Sequence, residues 1–214
     1  MIKRYSISTI GMFLIAIGIA FSINACAGIN GLNAPAYALS TKYPLMSIGT
    51  YNFLFHSLLI IVQLAVLGKL FKLEDLMQVP ANLILAVFIN ISIILCKELT
   101  ATSLLSQILL ILASCIITAI GVSMEVWSKA WMLPTEMTAK AISTKSKKDF
   151  SFWKMMVDCS ILLIAVILCV IFFGNPLGTS DTNVLGWGTI VLAICVGPCV
   201  KFTQPVVDKV LGIL

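Results

Sequence analysis

The chain has 214 residues, of which 60% are hydrophobic and 11% charged, and its mean hydropathy is +1.07. That is too apolar for a soluble domain of this size. The net charge of +5 does not call for a nucleic-acid partner, because a one-sided distribution of loop charge accounts for it. The seven cysteines show no Cys-x-x-Cys ligand spacing, and the sequence has no P-loop, nucleophile elbow or histidine cluster. An enzyme, a metal and a cofactor are therefore not expected.

Read in chain order, Lys3 and Arg4 precede an apolar run over about 6–26. This start resembles a secretory signal, and Ile23-Asn24-Ala25-Cys26 resembles a loose lipoprotein cleavage box. The segment recurs inside the chain at 119–129, so it is expected to be retained. A break, Gly28 to Pro35, leads into a short helix-prone stretch at 35–42 and a second run over 47–70. Val79-Pro80 opens the third run, 79–96, and Lys97-Glu98 bounds it. The fourth run covers 101–127. It ends in a second break, Trp131-Met132-Leu133-Pro134-Thr135-Glu136, with a helix-prone stretch at 134–145. The last two runs are 155–174 and 185–207, the latter opened by Gly186-Trp187-Gly188 and carrying Gly197-Pro198. Crossing a hydrocarbon core of about 30 Å takes about 20 apolar residues, so six transmembrane helices are expected. No alternating strand pattern suggests a barrel.

The chain also reads twice. Residues 16–42 and 119–145 align without a gap at an offset of 103, with 9 identities in 27 positions. Ala16-Ile17-Gly18 recurs as Ala119-Ile120-Gly121, and Ser40-Thr41-Lys42 as Ser143-Thr144-Lys145. The expected fold is one all-α membrane domain over 1–214, built from repeat 1 (about 6–96) and repeat 2 (about 101–207). Three spans per repeat is an odd number, so the halves should be inverted, each with a broken-helix segment after its first helix. With a cytoplasmic N-terminus, 12 of the 14 basic residues lie inside and only Lys42 and Lys97 outside. Both termini are then cytoplasmic.

Ionisable and amide groups inside the spans are the natural site candidates, since each is costly to insert. Asp158 leads. After the longer loop of the second half the offset becomes 106, and Asp158 then corresponds to Asn52. His56 follows Asn52 by four residues on the same face. Glu136 lies at the second break, and Asn33, Pro35 and Pro134 mark the two breaks themselves. Asn33 or Thr135 could cap the short helices, and the breaks leave peptide groups free to hold a ligand. Glu125, four residues before Lys129, fits a helix-surface ion pair. Gln63, Asn82, Asn90 and Gln107 are candidate interhelical hydrogen-bonders.

The basic N-terminus, glycine-containing first helix, Gly/Pro break and polar-started second helix, all repeated, resemble the YczE/YyaS/YitT-type bacterial membrane proteins over nearly the whole chain. Asn33-Ala34-Pro35 stands where that family carries a Gly-x-x-Pro-like element. Leu133-Pro134-Thr135-Glu136 lacks the glycine of the family's second break. No settled activity belongs to that family, so the resemblance implies a multi-spanning protein of the bacterial inner membrane. The function expected from the duplication is a small secondary transporter with a midplane site for an unidentified small molecule. The alternatives are the substrate-capturing subunit of an uptake system with an energising partner, or a non-transporting accessory protein. Membrane lipid is the expected surrounding, and any homo-oligomer should be parallel.

Overall fold

Why each helix starts and stops is visible in its ends. In a computed structural model, which describes residues 2–130, 133–147, 149–179 and 183–213, the apolar runs form α1 (Ile2–Asn24), α3 (Ile48–Leu67), α4 (Gln78–Leu95), α5 (Leu104–Ser128), α7 (Phe150–Phe173) and α8 (Trp187–Ile213). All six are long and apolar enough to cross a membrane. The helix-prone stretches form the short α2 (Ala34–Lys42) and α6 (Pro134–Ser146). Trp131 and Met132 of the second break and Lys148 of the basic segment lie outside the described residues.

Ser47 caps α3 by accepting the Thr50 N–H at 3.2 Å, and Ser103 does the same for α5 from Ser106. The helices α5, α6 and α7 stop at the left-handed residues Lys129, Lys147 and Gly174. Proline stands in the first turn of both short helices, where its missing N–H costs nothing. The expected side-chain caps differ: Asn33 is the N-cap residue of α2 but makes no capping bond, and Leu133, not Thr135, precedes α6. The last helix runs through Pro198 and Pro205 to Ile213, beyond the expected end at 207. Prolines are tolerated in spanning helices where neighbours satisfy the freed backbone groups.

The centre of the bundle is the α1–α5 crossing. Gly11 lies against Gly121, and Gly18 against Ser114 and Thr118, so the two helices run antiparallel. A Cβ on Gly11 would stand 2.7 Å from the Gly121 carbonyl oxygen, and one on Gly121 2.6 Å from that of Gly11. In lipid, where apolar burial drives little association, this close backbone approach is what holds helices together. The Ser114 hydroxyl adds a 2.7 Å bond to the Gly18 carbonyl. Around this pair, α4 packs on α1 and α8 on α5. The short helices share a pair of partners: α2 lies against α3 and α7, and α6 against α7 and α3. The outer faces carry exposed Leu, Ile, Val and Phe, as lipid-facing surfaces require.

Candidate functional site

Helix α3 buries one stripe: Gly49, Asn52, His56, Ile60 and Gln63, spaced by three and four. Its antiparallel neighbour α4 presents Gln78, Asn82 and Asn90 along one face, and the two stripes meet. Asn90 Oδ1 accepts the Gly49 N–H at 3.0 Å. Asn82 Nδ2 donates to the Phe53 carbonyl at 3.0 Å, and Asn82 Oδ1 lies 3.2 Å from His56 Nδ1. Gln63 and Gln78 bond reciprocally at 3.0 and 2.8 Å. The Phe53 carbonyl fixes which end of the Asn82 amide donates, so His56 Nδ1 carries the proton. His56 Nε2 is then an acceptor, and it is buried with no hydrogen-bond partner among the described residues.

Gln63 Nε2 also lies 3.0 Å from both the Pro134 carbonyl and the Thr138 hydroxyl of α6, so its two N–H groups are shared among these and Gln78 Oε1. Further along, Lys145 Nζ donates to the Val66 carbonyl at 2.8 Å. These contacts advance together, so α6 runs parallel to α3. Its N-terminus therefore points back toward His56, two turns before Gln63 on the same face.

The other short helix makes the corresponding contacts. Lys42, at the end of α2, donates to the Phe172 carbonyl at 3.3 Å. Lys145 lies 103 positions after Lys42, and Phe172 lies 106 after Val66. At the start of α2, Asn33 Oδ1 accepts from Asn52 Nδ2 at 2.8 Å. The same offsets convert Asn33 and Asn52 into Glu136 and Asp158, and these two carboxyl groups interact electrostatically. Ser22, buried in α1, converts at 103 into Glu125.

Two of these acids depart from what the sequence suggests. Glu125 is no surface residue: it is 8% exposed, its Oε1 has no partner, and it interacts with Glu136. The i,i+4 ion pair with Lys129 does not form, because Lys129 has left the helix in a left-handed conformation. Asp158 instead pairs with Lys154 at 2.8 Å on α7. Burial pushes the Glu136 carboxyl above its usual range, Lys154 pulls it back down, and Asp158 pushes it up again.

Several peptide groups in and just before the first break are bonded within the protein. Ile29 N–H bonds the Val184 carbonyl, Ala27 O accepts from Gly188 N–H, and Cys26 O accepts from Asn183. Gly28 takes φ +94° against Gly186, which only glycine does without strain. Pro35 and Pro134 are buried at the starts of their helices and act through backbone shape. The structure thus brings Asn33, Asn52 and His56 to one side of the short-helix starts, and Glu136 and Asp158 to the other. Glu125, which the sequence suggests as a surface ion pair, belongs with them, as do Gln78, Thr138 and Lys154, which sequence reasoning does not single out. The antiparallel polar stripe of α4, at spacings of four and eight, is the signal that points to Gln78. Gln107 bonds through its backbone N–H to the carbonyl of the cap residue Ser103, and its side chain has no interhelical partner among the described residues.

Comparison with known proteins adds a family and no activity. No curated protein and no solved structure matches the chain. The sequence model of a family of unknown function, DUF6198, matches residues 2–205, nearly the whole length; the chain is a multi-pass membrane protein that belongs to this family.

Proposed function

We propose that the protein is a small secondary transporter of the bacterial inner membrane, with both termini cytoplasmic. Its two halves are inverted repeats that rock about the α1–α5 crossing and carry a small solute past a site at the starts of α2 and α6. The observation that carries this reading is the exchange of contacts under offsets of 103 and 106. Lys42 to Phe172 becomes Lys145 to Val66, and the hydrogen-bonded residues Asn33 and Asn52 correspond to Glu136 and Asp158. Duplicated halves with interrupted helices at the bilayer midplane are the general architecture for alternating access. In this reading the neutral pair is a fixed polar anchor, and the acidic pair is the element whose charge state couples to transport. The likeness to the YczE/YyaS/YitT-type proteins supports the location.

A thermal-shift screen of the purified protein against metabolite pools, followed by uptake into proteoliposomes, tests the reading. A ligand bound only by the folded state raises apparent stability by mass action. The expected result is a stabilising pool whose active component is taken up, with uptake lost in Asp158→Asn. Binding without uptake would indicate a capture subunit, and neither binding nor uptake would indicate an accessory protein; either overturns transport. Labelling of Leu45→Cys and Ser146→Cys from opposite sides checks the inversion, since Leu45 is 86% exposed and Ser146 is also exposed.

A further inference from the structure

The buried polar atoms left without partners near the short-helix starts share a chemical sense. Asn52 Oδ1, His56 Nε2 and Glu125 Oε1 are all acceptors, and none has a donor among the described residues. Asn52 is 1% exposed and His56 3%. They lie one turn apart on the same face of α3. With Nδ1 held by Asn82 on α4, the Nε2 edge of the ring faces away from α4. Buried acceptors without donors are costly, each by about 1–3 kcal/mol, so the site is built for a ligand that supplies donors.

We propose that this site binds a protonated primary amine, a deepening that rests on the midplane site described above. With both glutamates ionised, Glu125, Glu136 and Asp158 against Lys154 leave a formal charge of −2; burial favours the neutral form of Glu136 in the free protein, so a bound cation is what holds the pair ionised. The starts of α2 and α6 each contribute about +0.5, so the balance is about −1, matched by one monovalent cation. An ammonium group carries three donors and no acceptor. In the proposed complex two of its N–H groups answer Asn52 Oδ1 and His56 Nε2, and the third is directed toward the acids at the start of α6. A hard metal cation fits less well, since such ions take oxygen ligands and not an imidazole nitrogen. Nor do any three His, Cys, Asp or Glu side chains among the described residues stand in metal-binding geometry.

The probe is methylammonium, radiolabelled, bound to the full chain in lipid nanodiscs at neutral pH. Saturable binding is expected, weakened at least tenfold by Glu125→Gln and by His56→Phe, and unchanged by Glu98→Gln at an exposed loop position. As a check independent of variant folding, methylammonium should raise the unfolding temperature of the wild-type protein, and sodium at equal ionic strength should not. Absence of binding, equal stabilisation by sodium, or binding indifferent to both site variants would overturn the proposal. Methylammonium binding without uptake of any solute sinks the transporter reading and leaves the amine site standing. Uptake of another solute by protein that ignores methylammonium does the reverse.

Discussion

Replacing Gly11 or Gly121 by alanine tests the central crossing. Each new Cβ would meet the other glycine's carbonyl oxygen at 2.7 or 2.6 Å. Relaxed carbon–oxygen contacts between helix backbones sit at about 3.3–3.6 Å, so either substitution demands a separation of about 0.6–1.0 Å. Neither obstacle is a flexible side chain that could swing aside, so the helices themselves must move. A gap of that size forfeits about a quarter to a half of each dispersion contact along the crossing, and overpacking of this kind costs about 1–3 kcal/mol. The two alanines ask for the same separation at the same place. Once the first has forced it, the second adds little, and the double variant should cost distinctly less than the sum. Equilibrium unfolding in mixed micelles reads both singles and the double. Single costs under about 0.5 kcal/mol, or strict additivity, would refute the close approach. The crossing would then not be the tight axis described here.

Three further outcomes are expected. Asn82→Leu strips His56 Nδ1 of its acceptor, so it should destabilise the protein by about 1–3 kcal/mol, read by the same unfolding assay; no loss would detach the α3–α4 seam from stability. Glu136 holds its proton more tightly when folded than the ordinary value of 4.5, so the folded state binds more protons across that window. Its contribution is present below 4.5 and is lost as pH rises through the raised value; unfolding temperature should fall with rising pH, and Glu136→Gln should flatten the slope. Lys42→Met and Lys145→Met each release a short helix from a carbonyl at the end of the other half's helix. In proteoliposomes each should alter uptake rate more than substrate affinity, and a change confined to affinity would place these lysines at the site instead.

What the sequence makes legible follows the physical strength of each signal. The six spans are set by apolar length, which lipid enforces regardless of tertiary contacts, and their ends differ from the expected ones by up to six residues. The short helices are marked by proline and by the Ser-Thr-Lys repeat. Glu125 was misjudged because an i,i+4 acid–base pair reads as a surface feature only if both residues remain helical. Lys129 takes φ +51°, and no local composition announces that. Gln63 and Gln78 are each ordinary polar residues in an apolar run. Their reciprocal bond depends on the antiparallel register of α3 against α4, which a chain read one helix at a time does not contain. The Asn52–Asp158 correspondence is legible in the numbering, but the Asn33–Asn52 bond is not, because it depends on the packing of the short helices.

The proposed equivalence also accounts for where the molecule is asymmetric. Counted at 106, His56 corresponds to Leu162 and Gln63 to Cys169, so the stripe that zips α3 to α4 has no amide or imidazole counterpart on α7. Among the described residues, α3 and α4 are a packed pair, and α7 and α8 are not among the closely packed ones. Lipid supplies little drive to bring two apolar helix faces together, whereas interhelical hydrogen bonds do so at up to about 1–2 kcal/mol each. The first half is therefore clamped by five side-chain bonds along one seam. The second half, which carries the three acids, has an α7 held chiefly through α2 and α6. A charge change at Glu136 or Asp158 thus acts on the less restrained helix, and the neutral Asn33–Asn52 pair sits beside the clamped one. On the proposed transport reading, the three acids and the helix with fewer packing partners fall in the same half, the combination that charge-driven alternating access requires.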